Sequence, residues 1–564
     1  MGKVPKLGRA GYRWMLLAVL VAGAGALRFY HIDEPGFTEG ADCMYTETAY
    51  TMLLLGQWSW HNPGLLFAGV EKTQGLVQYF SAHHVVPQMP YSCKPVWDFM
   101  NVAAVAVGGY NDVVSAGLSA LMGTLSVLAI FWLGKALYGE RVGLGAAALL
   151  AVAGGGLVFS RYGQSHMASL LFLMLGCGFY LRSLSRPLSW RSMAPSSLLF
   201  GLALATHPNL LPNVGLFALY EVFLLIRHEM PGRSFVRRAL VMGGTIATVV
   251  MLLDLPFEVV KFLFGGFFDA MAPYMVWPFM TYLEQLPHHF GLVVATESAT
   301  GLRDSLYAYL VEPWAWEGVM LPGLVIVSVV WSSRNLGKAR LPDLIVYSQF
   351  LIPLACWIYS EHGAVYRFAA GILPAGLVIA AGRLDRIAIF VAHRLRFRVD
   401  PVMALLVALV VLYTFQNSRV IYQARSAYKE AAQWLQLRGE DRLMVSHPRS
   451  WRFYGIEPVP LGREGLDQVR YMAFYPRYTS PEERQLRAVL ASQEPTLRVA
   501  DLRPGKLLEV QFMERSLALK LLVKLPGIGP YAAQTRQTVL ERNRLRCLEV
   551  YEIGGIRHEL AAVL

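Results

Sequence analysis

Between Leu16 and Phe415 the chain returns repeatedly to apolar runs long enough to cross a lipid bilayer, and no other property narrows its folding options so far. A spanning helix needs roughly 20 apolar residues, because inside lipid every backbone N–H and C=O must find its partner within the segment. About eleven such runs are legible, near residues 13–28, 113–134, 143–160, 166–181, 194–207, 209–226, 239–260, 317–333, 343–360, 364–382 and 401–416. With 55% hydrophobic and 16% charged residues, the 564-residue chain is too apolar for an ordinary soluble enzyme. The expected fold class is a polytopic α-helical membrane protein of about eleven transmembrane helices, residues 1–417, followed by a soluble α/β domain, residues 418–564.

The first run follows Lys3, Lys6, Arg9 and Arg13 and leads to no small-residue cleavage site. It reads as a retained anchor with the N-terminus in the cytoplasm. Lys and Arg crowd alternate loops, at 135–141, 182–191, 227–238, 334–340 and 383–398. The loops between hold few: Arg28, Lys72, Lys94, Arg161, Arg303 and Arg367. The formal charge of +12 is then chiefly an orientation signal plus a basic tail, and nucleic-acid binding is not needed to explain it. An odd number of spans places the tail outside the cytoplasm, since long domains cross largely regardless of their charge. The expected location is the plasma or inner membrane, with the C-terminal domain extracytoplasmic.

Two loops on the outer side are long, 29–112 and 261–316, and loops of that length are usually functional. The first should hold an amphipathic helix, Met44–Gly56, with Tyr45, Ala49, Met52 and Leu53 on one stripe, lying in the interface and anchored by Trp58 and Trp60. The second, with Tyr274, Trp277, His288 and His289, reads equally as a lid or as an interfacial belt of aromatics. In the tail a helix near Ser426–Arg438 precedes the strand-like "RLMVSH", and "VRYMAFYP" leads to "SPEERQLRAVL", where Ser480 suits a cap and Pro481 the first helical position. "LPGIGPYAA" (525–533) has the look of a DNA-binding hairpin, but a Pro/Gly turn accounts for it.

The stretch "DEPGFTEGADCMYTETAY", directly after the first run, carries Asp33, Glu34, Glu39, Asp42 and Glu47. On the same side lie Lys94 in "SCKPVWDF", Arg161 in "FSRYGQSH" and Arg367 in "EHGAVYRFAAGILP". A cation at the bilayer boundary is costly unless paired, and the natural anion there is a lipid phosphate. Lys meets phosphate as a point charge and Arg as a two-pronged fork, while simple snorkelling to the headgroups is the bland alternative. Cations that hold a phosphate leaving group would let a nearby carboxylate take the proton of an incoming hydroxyl or amine. Sugar transfer divides labour in this way. Nucleotide sugars are not expected outside the cytoplasm, so the donor would be a sugar on a membrane lipid phosphate.

The order of these pieces, an acid after the first run, then "YTETAYTMLLLGQW", "KP", "FSRYGQSH" and "YRFAAGILP", resembles the GT-C membrane glycosyltransferases. Within that class the chain is most similar to the family containing the protein O-mannosyltransferases and the aminoarabinose transferase of lipid A. The resemblance covers roughly residues 13–230, with topology alone beyond them. It implies an inverting transfer from a polyprenyl-phosphate sugar to an extracytoplasmic lipid, glycan or protein. A first-loop acid would serve as base or beside a metal, and Lys94 would meet the phosphate, with Arg161 and Arg367. Family members usually carry adjacent Asp and Glu shortly before the Tyr; here "EGADCMY" makes Asp42 the best match and Glu39 the second. Asp112, in "GGYND", stands where the family often has another acid, or caps the helix that follows. Tyr45, His166, His207 and His362 complete the expected pocket. No HExxH-type spacing marks a metal site, so no cofactor is assigned and a divalent metal stays open. Cys43 and Cys93 adjoin Asp42 and Lys94, and a disulfide between them would draw acid and cation together. The rival readings are a lipid-linked glycan polymerase or ligase, and a non-enzymatic transporter or flippase of an anionic lipid.

Overall fold

The computed structural model describes residues 9–34, 36, 40–83, 94–184, 190–271, 312–333, 341–359, 370–445, 451, 454–474, 481–490, 493–500, 503–515 and 547–563, with scattered positions between 524 and 540. Its helices are α1 (Arg9–Phe29), α2 (Gly40–His61), α3 (Val70–Ala82), α4 (Pro95–Gly108), α5 (Val114–Tyr138), α6 (Glu140–Val152), α7 (Gly154–Arg161), α8 (His166–Leu184), α9 (Trp190–Thr206), α10 (Leu211–Ile226) and α11 (Gly232–Met271). They continue as α12 (Glu312–Glu317), α13 (Met320–Ser333), α14 (Leu341–Tyr359), α15 (Leu373–Leu395) and α16 (Val399–Ser418).

Every apolar run overlaps a helix, but they are not alike. Among the described residues six helical stretches are long and apolar enough to cross a membrane: Gly11–Phe29, Val114–Tyr138, His166–Leu184, Pro208–Ile226, Gly232–Ala270 and Val399–Gln423. The pair α6 and α7, bent by 55°, makes a seventh if it is one span. The protein is an integral membrane protein. The other runs form helices that are shorter or more polar. The run placed at 364–382 is displaced: the helix begins at Leu373 and continues to Leu395, taking in Arg383, Asp385 and Arg386. Helix α11 is 40 residues long, about 60 Å at 1.5 Å per residue, twice what the hydrocarbon core requires. Its last turns carry Lys261 and pack Phe264, Phe267 and Phe268 against Leu54 and Trp58 of α2 and Leu76 and Phe80 of α3.

Contacts define the two ends of the bundle. At one, Arg13 pairs with Glu140, Lys135 with Glu140 at 3.1 Å, Arg141 with Asp385 at 2.7 Å, and Tyr138 donates to Asp343 at 2.9 Å. At the other, the end of α1 meets the end of α7, and the start of α5 meets the start of α2 and the 162–165 loop.

The α6–α7 break lies between these ends, and its exposed backbone groups are met by side chains of matching polarity. Arg28 donates to the carbonyls of Leu150 and Ala151 at 3.0 and 3.2 Å, and Ser418 donates to that of Val152 at 3.0 Å. On the other side of the break the Gly155 N–H donates to Glu317 Oε1 at 2.8 Å. The positive group therefore faces the carbonyl end of α6 and the acidic one the amide end of α7, as the helix dipoles require.

After Ser418 the chain forms a five-stranded sheet ordered β2-β1-β3-β5-β4, from β1 (Arg442–Val445), β2 (Glu457–Pro460), β3 (Tyr471–Phe474), β4 (Leu497–Ala500) and β5 (Cys547–Glu552). Strands β1, β2 and β3 are mutually parallel, and β5 runs antiparallel to β3 and β4. Side chains alternate across it. Leu443, Val445, Tyr471 and Ala473 meet α17 (Ala427–Gln436), while Met444, Met472 and Phe474 meet α18 (Pro481–Leu490) and α20 (Arg557–Val563). Ser426 caps α17 by accepting from the Lys429 N–H. One tail helix does not stay with the sheet: α19 (Pro504–Arg515) sends Leu508 and Phe512 into the core of the helical bundle.

One reading of the first loop needs correction, and those of the second loop and of the tail hairpin fall away. Helix α2 is not a surface amphipath along its first turns, since Tyr45, Thr46, Glu47, Thr48 and Ala49 are buried in succession; Trp58 is buried too, while Gly56, Gln57, Trp60 and His61 near its end are exposed. Five buried residues in a row go round the whole helix, so this part of it has no wet face. Tyr274, Trp277, His288, His289 and nearly all of 525–533 lie outside the described residues.

Candidate active site

Lys94 is the N-cap residue of α4, and Pro95 takes the first helical position, where its missing N–H costs nothing. The Lys94 ammonium donates to Tyr45 Oη at 2.5 Å and lies 5.1 Å from the centre of that ring. Tyr45 is held edge-on against the fully buried Trp97, with ring centres 6.3 Å apart. The cation expected from "SCKP" and the tyrosine expected from the first loop are thus in direct contact. Asp42 lies three residues before Tyr45 in α2, one helical turn toward the N-terminus. Its side chain, that of Cys43, and all of Glu39, Cys93, His362 and Arg367 lie outside the described residues, and with them the disulfide.

Below this contact runs a buried polar chain. Thr46 and Ser115 hydroxyls are 2.8 Å apart, Ser115 donates to Asn101 Oδ1 at 2.5 Å, and Ser119 donates to the Gln164 carbonyl at 2.9 Å. The chain fixes the starts of α2, α4 and α5 against the loop that leads into α8. Gly163 is required there, because a Cβ would stand 2.8 Å from that of Ser115. Asp98, one turn beyond Lys94, is 1% exposed. Burial pushes its carboxyl up to about 7, while the nearby Lys94 charge pulls the other way.

His166 and His207 form a second group, their ring centres 4.7 Å apart, with His166 stacked on Phe159 at 4.8 Å. His207 closes α9 and accepts from the Asn209 N–H at 3.3 Å. Arg161 and Asp112 are engaged elsewhere. The Arg161 guanidinium donates to the carbonyls of Arg28, Tyr30 and His31 at 3.3, 2.6 and 2.9 Å and lies 5.0 Å from the centre of the Tyr422 ring. It therefore clamps the end of α1. Asp112 accepts from Lys429 at 2.9 Å and from Tyr454 at 3.3 Å, joining the start of α5 to the tail. Of the residues sequence reasoning passed over, Asp98 had a signal, its place in "KPVWDF" at helical spacing from Lys94. Glu317 had none, since its partner is a backbone N–H far away in the chain. Among the described residues no three His, Cys, Asp or Glu side chains converge as a metal site.

An apolar groove with about 700 Å³ of empty space opens between α12, α13, α14 and α15, lined by Trp314, Leu321, Val325, Phe350 and Leu373, with Glu317 among its walls. Lys94 and Tyr45 do not line it.

The family model described as dolichyl-phosphate-mannose-protein mannosyltransferase matches residues 90–256, which span α4 to α11 and include Lys94, Asp112, Arg161, His166 and His207. Among solved structures, ArnT from Cupriavidus metallidurans bound to undecaprenyl phosphate superposes with a TM-score of 0.54 at 13% identity, over 86% of this chain and 95% of that one. The fold is that of a GT-C membrane glycosyltransferase. The same ArnT in the apo state gives 0.53 at 14% identity, over 88% of this chain and 97% of that one. The apo oligosaccharyltransferase of Archaeoglobus fulgidus gives 0.53 at 13% identity, over 83% of this chain and 70% of that one. No curated protein matches the chain in sequence. This GT-C fold thus survives where few residues are held in common.

Proposed function

We propose that the protein transfers a sugar, with inversion, from a polyprenyl-phosphate donor to an acceptor on the extracytoplasmic side of the membrane. The observation that carries this reading is the Lys94 ammonium on Tyr45, one turn of α2 away from Asp42, at the end of the bundle opposite the basic loops. The fold shared with a protein solved with undecaprenyl phosphate supports the choice of donor class.

Chemically, the acceptor oxygen or nitrogen attacks the anomeric carbon from the face opposite the phosphate. The bond from that carbon to the phosphate oxygen breaks, and polyprenyl phosphate departs with its charge on Lys94. Asp42, or Glu39 in its place, takes the acceptor's proton. Arg367 is a further candidate for the phosphate. Arg161 contributes indirectly, by fixing the chain between α1 and α2, and Asp112 by docking the tail. The apolar groove has room for part of a lipid chain, and His166 and His207 are candidates for the sugar's hydroxyls. A divalent metal, if one takes part, would draw on Asp42, Glu39 or the histidines.

Purified protein in lipid, offered a panel of polyprenyl-phosphate sugars, tests the reading. Turnover is expected in the wild type, with losses of about 100-fold or more in Asp42→Asn and Lys94→Ala. Full turnover by Asp42→Asn beside an inactive Glu39→Gln would move the base to Glu39. A wild type inert toward every donor would end the proposal.

A further inference from the structure

Asp98 has no task in the reaction just described, yet it occupies an expensive position. It is 1% exposed, between Trp97 and a buried Asn101, and among the described residues no hydrogen-bond donor reaches either carboxylate oxygen. Its backbone N–H donates to the Lys94 carbonyl at 2.9 Å, so Asp98 lies in the first turn of α4, directly after the Lys94 cap. A buried carboxylate without a donor must be neutral or must lean on a nearby cation. Lys94 is the charged group that bears on it.

The helices packed against α4 bring other titratable groups into the neighbourhood. They are Tyr45, Glu47 and Tyr50 on α2, beyond Asp42, whose side chain lies outside the described residues, His207 at the end of α9, and Asp254, Glu258 and Lys261 on α11; the half of α5 nearest the site brings none.

We propose that Asp98 is a positioning residue that works through Lys94: ionised, it draws the ammonium from Tyr45 back along α4, away from the donor phosphate, and protonated, the state that its donor-free oxygens in this structure fit, it leaves the ammonium to the phosphate. The proposal rests on Lys94 as the phosphate-binding cation. When the donor binds, the ammonium turns to the phosphate, Asp98 loses its counter-charge, and its carboxylate takes up one proton from the solvent. The donor is a phosphodiester whose single charge is constant near neutrality, so it adds no titration of its own. The sign follows from linkage: the bound state holds more protons, so donor affinity rises as the pH falls through Asp98's range near 7 and weakens above it.

The test is the donor KM and kcat of the full-length protein in lipid, with the polyprenyl-phosphate sugar it turns over, between pH 6 and pH 8.5. In the wild type the donor KM should rise about 3- to 10-fold across that range. Asp98→Asn, neutral at every pH, should keep the low KM throughout, and Asp98→Glu should restore the slope. Should Asp98→Asn not fold, calorimetry of donor binding to the wild type at pH 7.5, in buffers of different ionisation enthalpy, reads the same event. A proton taken up, as a fraction approaching one, supports the proposal, and none overturns it. An Asp98→Asn enzyme that folds and keeps the wild-type slope also overturns it, as does one that loses kcat with its KM slope intact. A wild type that turns over no donor removes the glycosyltransferase reading and this proposal together. Turnover with a pH-independent donor KM removes this proposal alone.

Discussion

Arg28 shows how far a single residue's task can lie from what its position in the sequence suggests. At the end of an apolar run it reads as a cation for headgroups or phosphate, yet it is fully buried and spends its donors on Ser160 and on the carbonyls released where α6 stops. Lipid offers no water to those carbonyls, so their only donors are side chains. Arg28→Met should therefore cost several kcal/mol, at about 1–3 kcal/mol for each acceptor left unpaired, and Arg28→Lys less; thermal unfolding in detergent reads the difference. Gly154 is fixed by the same break. A Cβ there would stand 1.8 Å from the Trp316 carbonyl oxygen, so Gly154→Ala should lower the unfolding temperature more than Gly215→Ala, where a Cβ meets nothing within 4 Å. Lys94 belongs to the opposite class. Its cue, a lysine before a proline on the side poor in cations, was local; its contact with Tyr45 was not legible, since 48 residues lie between the two. Asp98 had only its spacing from Lys94 as a cue, and its burial, which makes it unusual, depends on neighbours far away in the chain.

At the scale of elements, helices of about 20 apolar residues were readable because lipid demands that length, whereas their exact extents were not. The helix that starts at Leu373 runs on to Leu395 because Asp385 and Arg386, which look like a loop, lie at its middle and meet partners across the bundle end. Helix α2 was misread as interfacial because its apolar stripe was visible and its cover, α4 and α5, was not. Two of the tail's strands, β1 and β3, and its helices α17 and α18 were legible in their local chemistry; β2, β4, β5 and the insertion of α19 into the bundle were not, since Leu508 and Phe512 look like any apolar pair. The Lys429–Asp112 bridge, partly buried at the junction, ties these layers together. A double-mutant cycle with Asp112→Asn and Lys429→Ala should give a coupling of about 0.5–1.5 kcal/mol in unfolding, and one near zero would make the bridge incidental.

For the molecule as a whole, the decisive feature is that its two ends differ in chemistry. One gathers Arg13, Lys135, Arg141 and Arg386 among paired acids; the other gathers Tyr45, Lys94, Asp98, His166 and His207 and receives the tail through Asp112. By the rule that orients helical membrane proteins, we propose that the basic end faces the cytoplasm. In intact cells, with the native cysteines replaced, an impermeant maleimide should label Leu437→Cys in the tail and not Leu395→Cys at the basic end, both positions being exposed. The reversed pattern would turn the candidate site toward the cytosol. Because the account depends on a lipid phosphate being held at Lys94, the most direct measurement is the affinity of the purified protein in lipid for a polyprenyl phosphate, wild type against Lys94→Ala. A loss of about 10- to 100-fold, the value of one charge-assisted contact, is the result expected. Equal affinity in the two proteins, with Lys94→Ala folded, would contradict it.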